Sequence, residues 1–207
     1  MSVVLPPLYP ITDTYLSGLS HAEQVRRMIA GGAKLIQLRE KRASPEEFYR
    51  EAEKALQIAH NEGVKIIIND RVDIALALKA DGTHLGQDDL PPGEARKLLG
   101  NKAIIGFSTH NMQQAVAAIK FPVDYIAIGP IFATNSKEDP GPTVGIEQLA
   151  LIRQALQDFP LVAIGGITEL NFRALLAMGV DSVAVINSIL TDQNKISERV
   201  KLFTANN

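Results

Sequence analysis

The sequence predicts a single-domain α/β protein folded as a (β/α)8 TIM barrel, with residues 1–207 as one domain and its strands and helices spread over about 8–204. Three features predict it. Short β-rich apolar runs alternate with segments of helical period along the whole chain, giving eight βα units. No linker or break in composition divides the 207 residues, a length that suits one substantial domain. The turn after the first strand, "TDTYLSGLS", is not the glycine-rich turn that often opens a doubly wound sheet, and such sheets usually carry fewer strands.

The first strand is "LYPIT" (8–12). A capping box, Ser20-x-x-Glu23, then opens a helix that closes at Gly31-Gly32. The second strand, "LIQLR" (35–39), runs into Glu40 and Lys41, and a second box, Ser44-Pro45-x-Glu47, places proline at the first helical position. Phe48, Tyr49, Ala52, Ala55, Leu56 and Ala59 mark one face of that helix, which exits at Gly63. The strands "KIIIN" (65–69), "GTHLG" (82–86), "AIIGFS" (103–108), "YIAIGP" (125–130), "LVAIGG" (161–166) and "SVAVIN" (182–187) follow, with helix exits at Gly100 and Gly179. After the last strand, "SILTD" can begin a short helix.

Composition bounds the function. Apolar residues make up 46% and charged residues 21%, and a net charge of −2 gives no electrostatic reason to expect nucleic acid or an anionic membrane as partner. The absence of cysteine excludes disulfides, thiolate metal sites and cysteine nucleophiles. No apolar run approaches a membrane span, and "MSVVLPPLYP" lacks a signal peptide's charged start and long apolar core, so a cytoplasmic protein is expected.

In a barrel of this kind the active site lies where the strands end. Those ends carry Gln37, Arg39 and Lys41; Asn69 and Asp70; Asp88 and Asp89; Ser108, Thr109 and His110; Thr134, Ser136 and Lys137; Gly165 and Gly166; and Ile186, Asn187 and Ser188. Three cations, two carboxylates on separate strands, several hydroxyls and a late glycine pair point to polyphosphate chemistry. Arginine matches phosphate oxygens with a planar fork and lysine supplies a point charge. Two carboxylates facing phosphate are the usual hold on Mg²⁺, which keeps most of its waters. Glycines after the seventh strand, with a short helix after the eighth, form the frequent phosphate cradle of barrels.

Simpler readings compete at each position. Arg39, Glu40 and Lys41 taken alone read as a solvated charge run. Asp70 stands where an N-cap belongs, and Asp89 before "LPP" has the same alternative. Gly165-Gly166 could serve only a tight turn. His21 and His60 fall in helical segments and read as surface residues, His84 reads as packed within a strand, and His110 stays open between the two. Applied jointly, the simple readings require coincidence at six of eight strand ends.

"QLREK", "INDRVDIALALKADGTHLGQDD", "GFSTH", "DYIAIGPIFATNSK", "AIGGI" and "GVDSVAVI" occur in the order and spacing of the thiamine-phosphate synthase family. The resemblance extends from about Leu8 to Ile189. It implies a transferase that joins 4-amino-5-hydroxymethyl-2-methylpyrimidine diphosphate to a thiazole phosphate, releasing pyrophosphate. The thiazole would be 4-methyl-5-(2-hydroxyethyl)thiazole phosphate or its carboxylated form. By the same resemblance Gln37, Leu38, Arg39, Glu40 and Lys41, with Asn69, Ser108 and Lys137, contact the pyrimidine diphosphate. Arg39, Lys41, Ser108 and Lys137 are the catalytic candidates. Asp70 and Asp89 match the Mg²⁺ ligands, while Thr134, Asn135, Ser136, Gly166, Ile186 and Asn187 match the thiazole-phosphate site. Departure of pyrophosphate builds charge that Mg²⁺, Arg39, Lys41 and Lys137 would receive, with no side-chain nucleophile needed. The implied partners are the two small substrates, with no nucleic acid or membrane, and a homo-oligomer stays open.

Two departures fall on the thiazole side: Asn187 where the family commonly has serine, and Ala133 where it commonly has proline. Three rival readings share the fold. A thiazole tautomerase of the sister family would use His110 for proton transfer, but it tends to lack the paired aspartates and the "TxSK" segment, both intact here. A non-catalytic thiazole- or thiamine-binding regulator would be favoured by a missing metal ligand, and none is missing. A Schiff-base aldolase would need Lys41 or Lys137 desolvated as a nucleophile.

Overall fold

The computed structural model describes residues 3–134 and 141–205. Its eight strands are β1 (Leu8–Pro10), β2 (Leu35–Leu38), β3 (Lys65–Asn69), β4 (Gly82–Leu85), β5 (Ile104–Thr109), β6 (Tyr125–Ile128), β7 (Leu161–Ile164) and β8 (Ser182–Val185). All pair in parallel, in the order β1-β8-β7-β6-β5-β4-β3-β2. A parallel bridge between Ile11 and Gln37, with Thr12 N–H donating to the Gln37 carbonyl at 2.9 Å, brings the two sheet edges together. The expected barrel is therefore the observed one, and its seam closes at the first residue of the charged motif. Six strands end one or two residues earlier than the apolar runs suggested, their last residues leaving the ladder at the upper face, while β3 ends as expected and β5 runs one residue further, to Thr109.

The intervening helices are α1 (Thr14–Ser17), α2 (His21–Ala30), α3 (Pro45–Asn61), α4 (Val72–Leu78), α5 (Pro92–Leu99), α6 (Met112–Ala118), α7 (Gly145–Leu156), α8 (Phe172–Ala177), α9 (Asn187–Leu190) and α10 (Ile196–Thr204). Ser44 and Glu47 form the full reciprocal capping box at α3. Ser20 makes only half of one: it accepts from Glu23 N–H, while the Glu23 carboxylate turns to Arg26 and Arg27 at 2.8 and 2.6 Å. An arginine within reach on the next turn outcompetes a neutral backbone N–H.

Strand period 2 divides the core into two layers. One set, including Ile36, Leu38, Ile66 and Ile68, packs against the helices. The alternate set, including Tyr9, Leu35, Ile67, Tyr125, Val162 and Ala184, fills the barrel. Continuing this interior set toward the strand ends brings Gln37, Asn69, His84 and Ser108 to the upper face. At the lower face Asp81, Asp124 and Asp181 each accept an N–H from the start of the preceding strand, that of Ile66, Ile105 and Leu161 at 2.7–2.8 Å. Arg96 and Arg153 pair with the latter two carboxylates. Charge at the bottom thus closes strand starts.

Candidate active site

A cavity of about 460 Å³ opens at the carboxyl ends of the strands. Of the residues predicted from sequence, Gln37, Arg39, Asn69, Ser108, Thr134, Gly166, Ile186 and Asn187 line it. Asn135, Ser136 and Lys137 lie outside the described residues. Leu38 is fully buried against the helices, so it can offer a ligand only its backbone.

The β2–α3 loop is fixed by Glu40. Its Oε2 accepts from Thr14 Oγ1 at 2.6 Å, and its Oε1 accepts the N–H groups of Lys41, Arg42 and Ala43. Burial alone would raise this carboxyl's pKa. The Thr14 and backbone hydrogen bonds, with His21 nearby, outweigh that and hold it at about 2. Glu40 therefore works inside the loop, shaping the backbone that presents Arg39 and Lys41. Arg39 Nη1 lies 2.6 Å from Asp13 Oδ2, and Asp13 also caps α1. His21, expected at the surface, is instead 1% exposed beneath this loop. Its Nδ1 is 2.8 Å from Thr12 Oγ1 and its Nε2 is 3.4 Å from Glu40. Burial lowers its pKa, against the pull of Glu40. It belongs to the inner face of α2, which the seam of the barrel covers.

Asp70 does not cap a helix. It has a left-handed φ of 60°, and α4 has Arg71 at its N-cap and no side-chain cap. Its Oδ2 lies 2.5 Å from Lys41 Nζ. Asp89 does not cap α5 either; its Oδ2 accepts the Gly86 N–H at 2.6 Å. Burial raises the Asp89 pKa and the Gly86 N–H lowers it. The Asp70 carboxylate, close enough to share a hydrogen bond, raises it again. Two carboxylates held against one another at a rim call for a cation or a proton between them. Among the described residues no group of three or more His, Asp or Glu is arranged to hold a metal. A cation here would thus rest on two carboxylates, with water and ligand oxygens completing its shell, and that donor set fits Mg²⁺.

On the opposite wall, Gly165 and Gly166 have φ of 101° and 64°. A Cβ at Gly165 would lie 2.5 Å from Pro130 Cβ, and one at Gly166 would lie 2.6 Å from the Ala133 carbonyl. Both backbone shape and close approach therefore require glycine. The loops after β6 and β7 touch there, and α9 starts beside them with Ile186 at its N-cap and no side-chain cap. Asn187 is its first helical residue; the Ile189 and Leu190 N–H groups donate to the Ile186 carbonyl, and no side chain caps those of Asn187 and Ser188.

Sequence reasoning overlooked Tyr9, Tyr125 and Asp13 and set His84 aside as packing. His84 is indeed buried, yet it lines the cavity with Tyr9. The signal was present: all three ring residues fall on the inward-facing phase of their strands. His110 also lines the cavity, its Nδ1 donating to the Gly129 carbonyl at 2.8 Å.

A family model described as "Thiamine monophosphate synthase" matches residues 8–189. The chain is 44% identical over 184 residues to the thiamine-phosphate synthase of Chloroflexus aurantiacus, covering 88% of this chain and 84% of that one. It is 44% identical over 196 residues to that of Syntrophomonas wolfei, covering 94% and 93%. A solved structure, the thiamine phosphate pyrophosphorylase from Pyrococcus furiosus, superposes with a TM-score of 0.84 at 34% identity, covering 95% of this chain and 92% of that one.

Proposed function

This chain belongs to the thiamine monophosphate synthase family and is a transferase. From that premise we propose that it joins the aminopyrimidine methyl diphosphate to the thiazole phosphate, giving thiamine phosphate and pyrophosphate. One observation carries the reading: two cations and two carboxylates, Arg39, Lys41, Asp70 and Asp89, gather beside a cavity large enough for two small heterocycles. The diphosphate lies on the Arg39–Lys41 side, and Asp70 and Asp89 hold Mg²⁺ there. When bound, that ion supplies positive charge against a diphosphate leaving group.

The carbon–oxygen bond to pyrophosphate breaks, and the methyl carbon is left cationic on the pyrimidine. Arg39 and Lys41 receive the negative charge that grows on the departing oxygen. Asp13 holds the Arg39 guanidinium and Asp70 the Lys41 ammonium, on a loop shaped by Glu40, so little reorganisation is needed as the charge develops. The thiazole nitrogen then donates its lone pair to the methyl carbon, and the new bond needs no proton. The Gly165–Gly166 turn and the start of α9 hold the thiazole's phosphate, so the ring nitrogen faces the pyrimidine. No side chain must act as nucleophile, which agrees with a site built of charge and hydrogen-bond donors.

The test is incubation of the protein with both substrates and Mg²⁺, with products read by mass spectrometry. Thiamine phosphate is expected. Isomerisation of a thiazole carboxylate with no pyrimidine present would point to the tautomerase instead.

A further inference from the structure

Five side chains on five strands form one unbroken hydrogen-bonded chain along the cavity floor. Gln37 Nε2 donates to the Tyr9 hydroxyl at 3.0 Å, and the Tyr9 and Tyr125 hydroxyls lie 2.9 Å apart. The Tyr125 hydroxyl is 2.9 Å from His84 Nδ1, and His84 Nε2 is 2.8 Å from Ser108 Oγ. Tyr9 and Tyr125 are 1% and 0% exposed. Gly106 makes room for the middle of the chain. A Cβ there would lie 2.0 Å from Tyr125 Cζ and 2.5 Å from His84 Nδ1, although its backbone is not left-handed. This glycine is required by space alone, under a Tyr125–His84 stack with ring centres 5.5 Å apart.

The chain has a direction. A hydroxyl has one proton and donates once. Both hydroxyl protons find a partner within the chain in one order only: Tyr9, which accepts from Gln37, donates to Tyr125, and Tyr125 donates to His84 Nδ1. A phenol donating to an imidazole lone pair is the favoured sense of that contact, since phenol is the better donor and imidazole the better acceptor. His84 then carries its proton on Nε2 and donates it to Ser108. Two groups are left to face the cavity: the Gln37 carbonyl as acceptor and the Ser108 hydroxyl as donor. Burial raises the pKa of both tyrosines, so neither interrupts the order by ionising.

We propose that this relay fixes the hydrogen-bond polarity of the cavity floor, making Tyr9, Tyr125 and His84 positioning residues that select an amino-substituted heteroaromatic ring over its oxo counterpart. The proposal rests on the aminopyrimidine reading of the preceding subsection. An exocyclic amino group complements the Gln37 carbonyl, and a ring nitrogen complements the Ser108 proton. The oxo ring of the same shape sets a lone pair against Gln37 and an N–H against Ser108. Without the relay, a free amide flips and a free hydroxyl rotates, so the floor adapts to either ring.

Tyr125→Phe removes one hydroxyl and keeps the ring on His84. In wild type and variant, kcat/KM is measured for the aminopyrimidine diphosphate and for its 4-oxo analogue, with thiazole phosphate in excess. The amino-over-oxo selectivity should fall tenfold or more in the variant. Unchanged selectivity in a cooperatively melting variant would overturn the proposal. A second measurement needs no turnover, so it decides the relay even if the coupling reaction itself is not found. Imidazole ¹⁵N NMR of the resting wild-type protein, with His84 assigned by its loss in His84→Gln, should show the proton on Nε2. A proton on Nδ1 would reverse the polarity and refute it.

Discussion

Asp89→Asn keeps an oxygen to accept the Gly86 N–H, 2.6 Å away, and removes the charge that stands against Asp70. Two like charges about 4 Å apart repel by about 4 kcal/mol at a surface-like effective dielectric. Lys41 on Asp70 and the solvent at this half-exposed rim reduce the net relief to about 1 kcal/mol. For a chain of this length that raises Tm by about 2–4 °C. The gain should appear in chelator, where no cation sits between the carboxylates. Its pH dependence follows from the raised Asp89 pKa. In the wild-type protein the folded state favours protonated Asp89, so stability from this group is present at low pH and lost as pH rises through the folded pKa. The variant's advantage should therefore be full at pH 7 and shrink toward the ordinary carboxylate range. Activity should move the other way. Losing one of the two proposed Mg²⁺ ligands should remove about 3 kcal/mol of transition-state stabilisation, roughly 10²-fold in kcat. Calorimetry in chelator and a coupling assay in Mg²⁺ read the two effects separately. A variant that melts lower and turns over at the wild-type rate would make Asp89 a turn residue and refute the metal assignment.

Glu40→Gln removes the charge and one of two acceptor oxygens, so the amide can face its oxygen to the Lys41, Arg42 and Ala43 N–H groups or to Thr14 but not to both, costing about 1–3 kcal/mol. Because the Glu40 pKa is depressed to about 2, its contribution is complete above the ordinary carboxylate range and lost as pH falls toward 2. The Tm difference between the two proteins should close over that window, and KM for the pyrimidine diphosphate should rise at neutral pH. With the phosphate on backbone N–H groups, as proposed, Asn187→Ser should change the thiazole-phosphate KM by less than about tenfold, roughly 1.4 kcal/mol. Asn187→Asp should raise it by more than that, by setting a carboxylate against the phosphate. A larger effect from serine would make the side chain itself a specificity element. His110→Ala should retain coupling activity; isomerisation of the thiazole carboxylate without any pyrimidine substrate, lost on this substitution, would instead give that imidazole the proton-transfer role of a tautomerase.

The barrel was legible because its strands are buried on both faces and bounded by caps and glycines, signals that survive without tertiary context. Gln37, Arg39, Asn69, Ser108, Gly166 and Asn187 were legible because strand ends in a barrel converge, so sequence neighbours of each strand become neighbours in space. Glu40 was harder to read. Nothing local distinguishes a carboxylate facing ligand from one folded under its own loop, and Thr14 and His21 decide it from two other elements. His21 was misplaced because helical period does not say which face the seam will cover. Tyr9, Tyr125 and His84 carried the right phase, but their meaning depends on hydrogen bonds across the barrel and on the space Gly106 leaves.

The central claim is that the strand ends drive departure of pyrophosphate and pass the pyrimidine to the thiazole. A single measurement tests it most directly: thiamine phosphate and pyrophosphate counted together, with each substrate alone and with both, in Mg²⁺ and in chelator. The account predicts the two products in one-to-one ratio, only with both substrates and Mg²⁺. Equal product formation in chelator, or pyrophosphate release with no thiamine phosphate when both substrates are present, would contradict it.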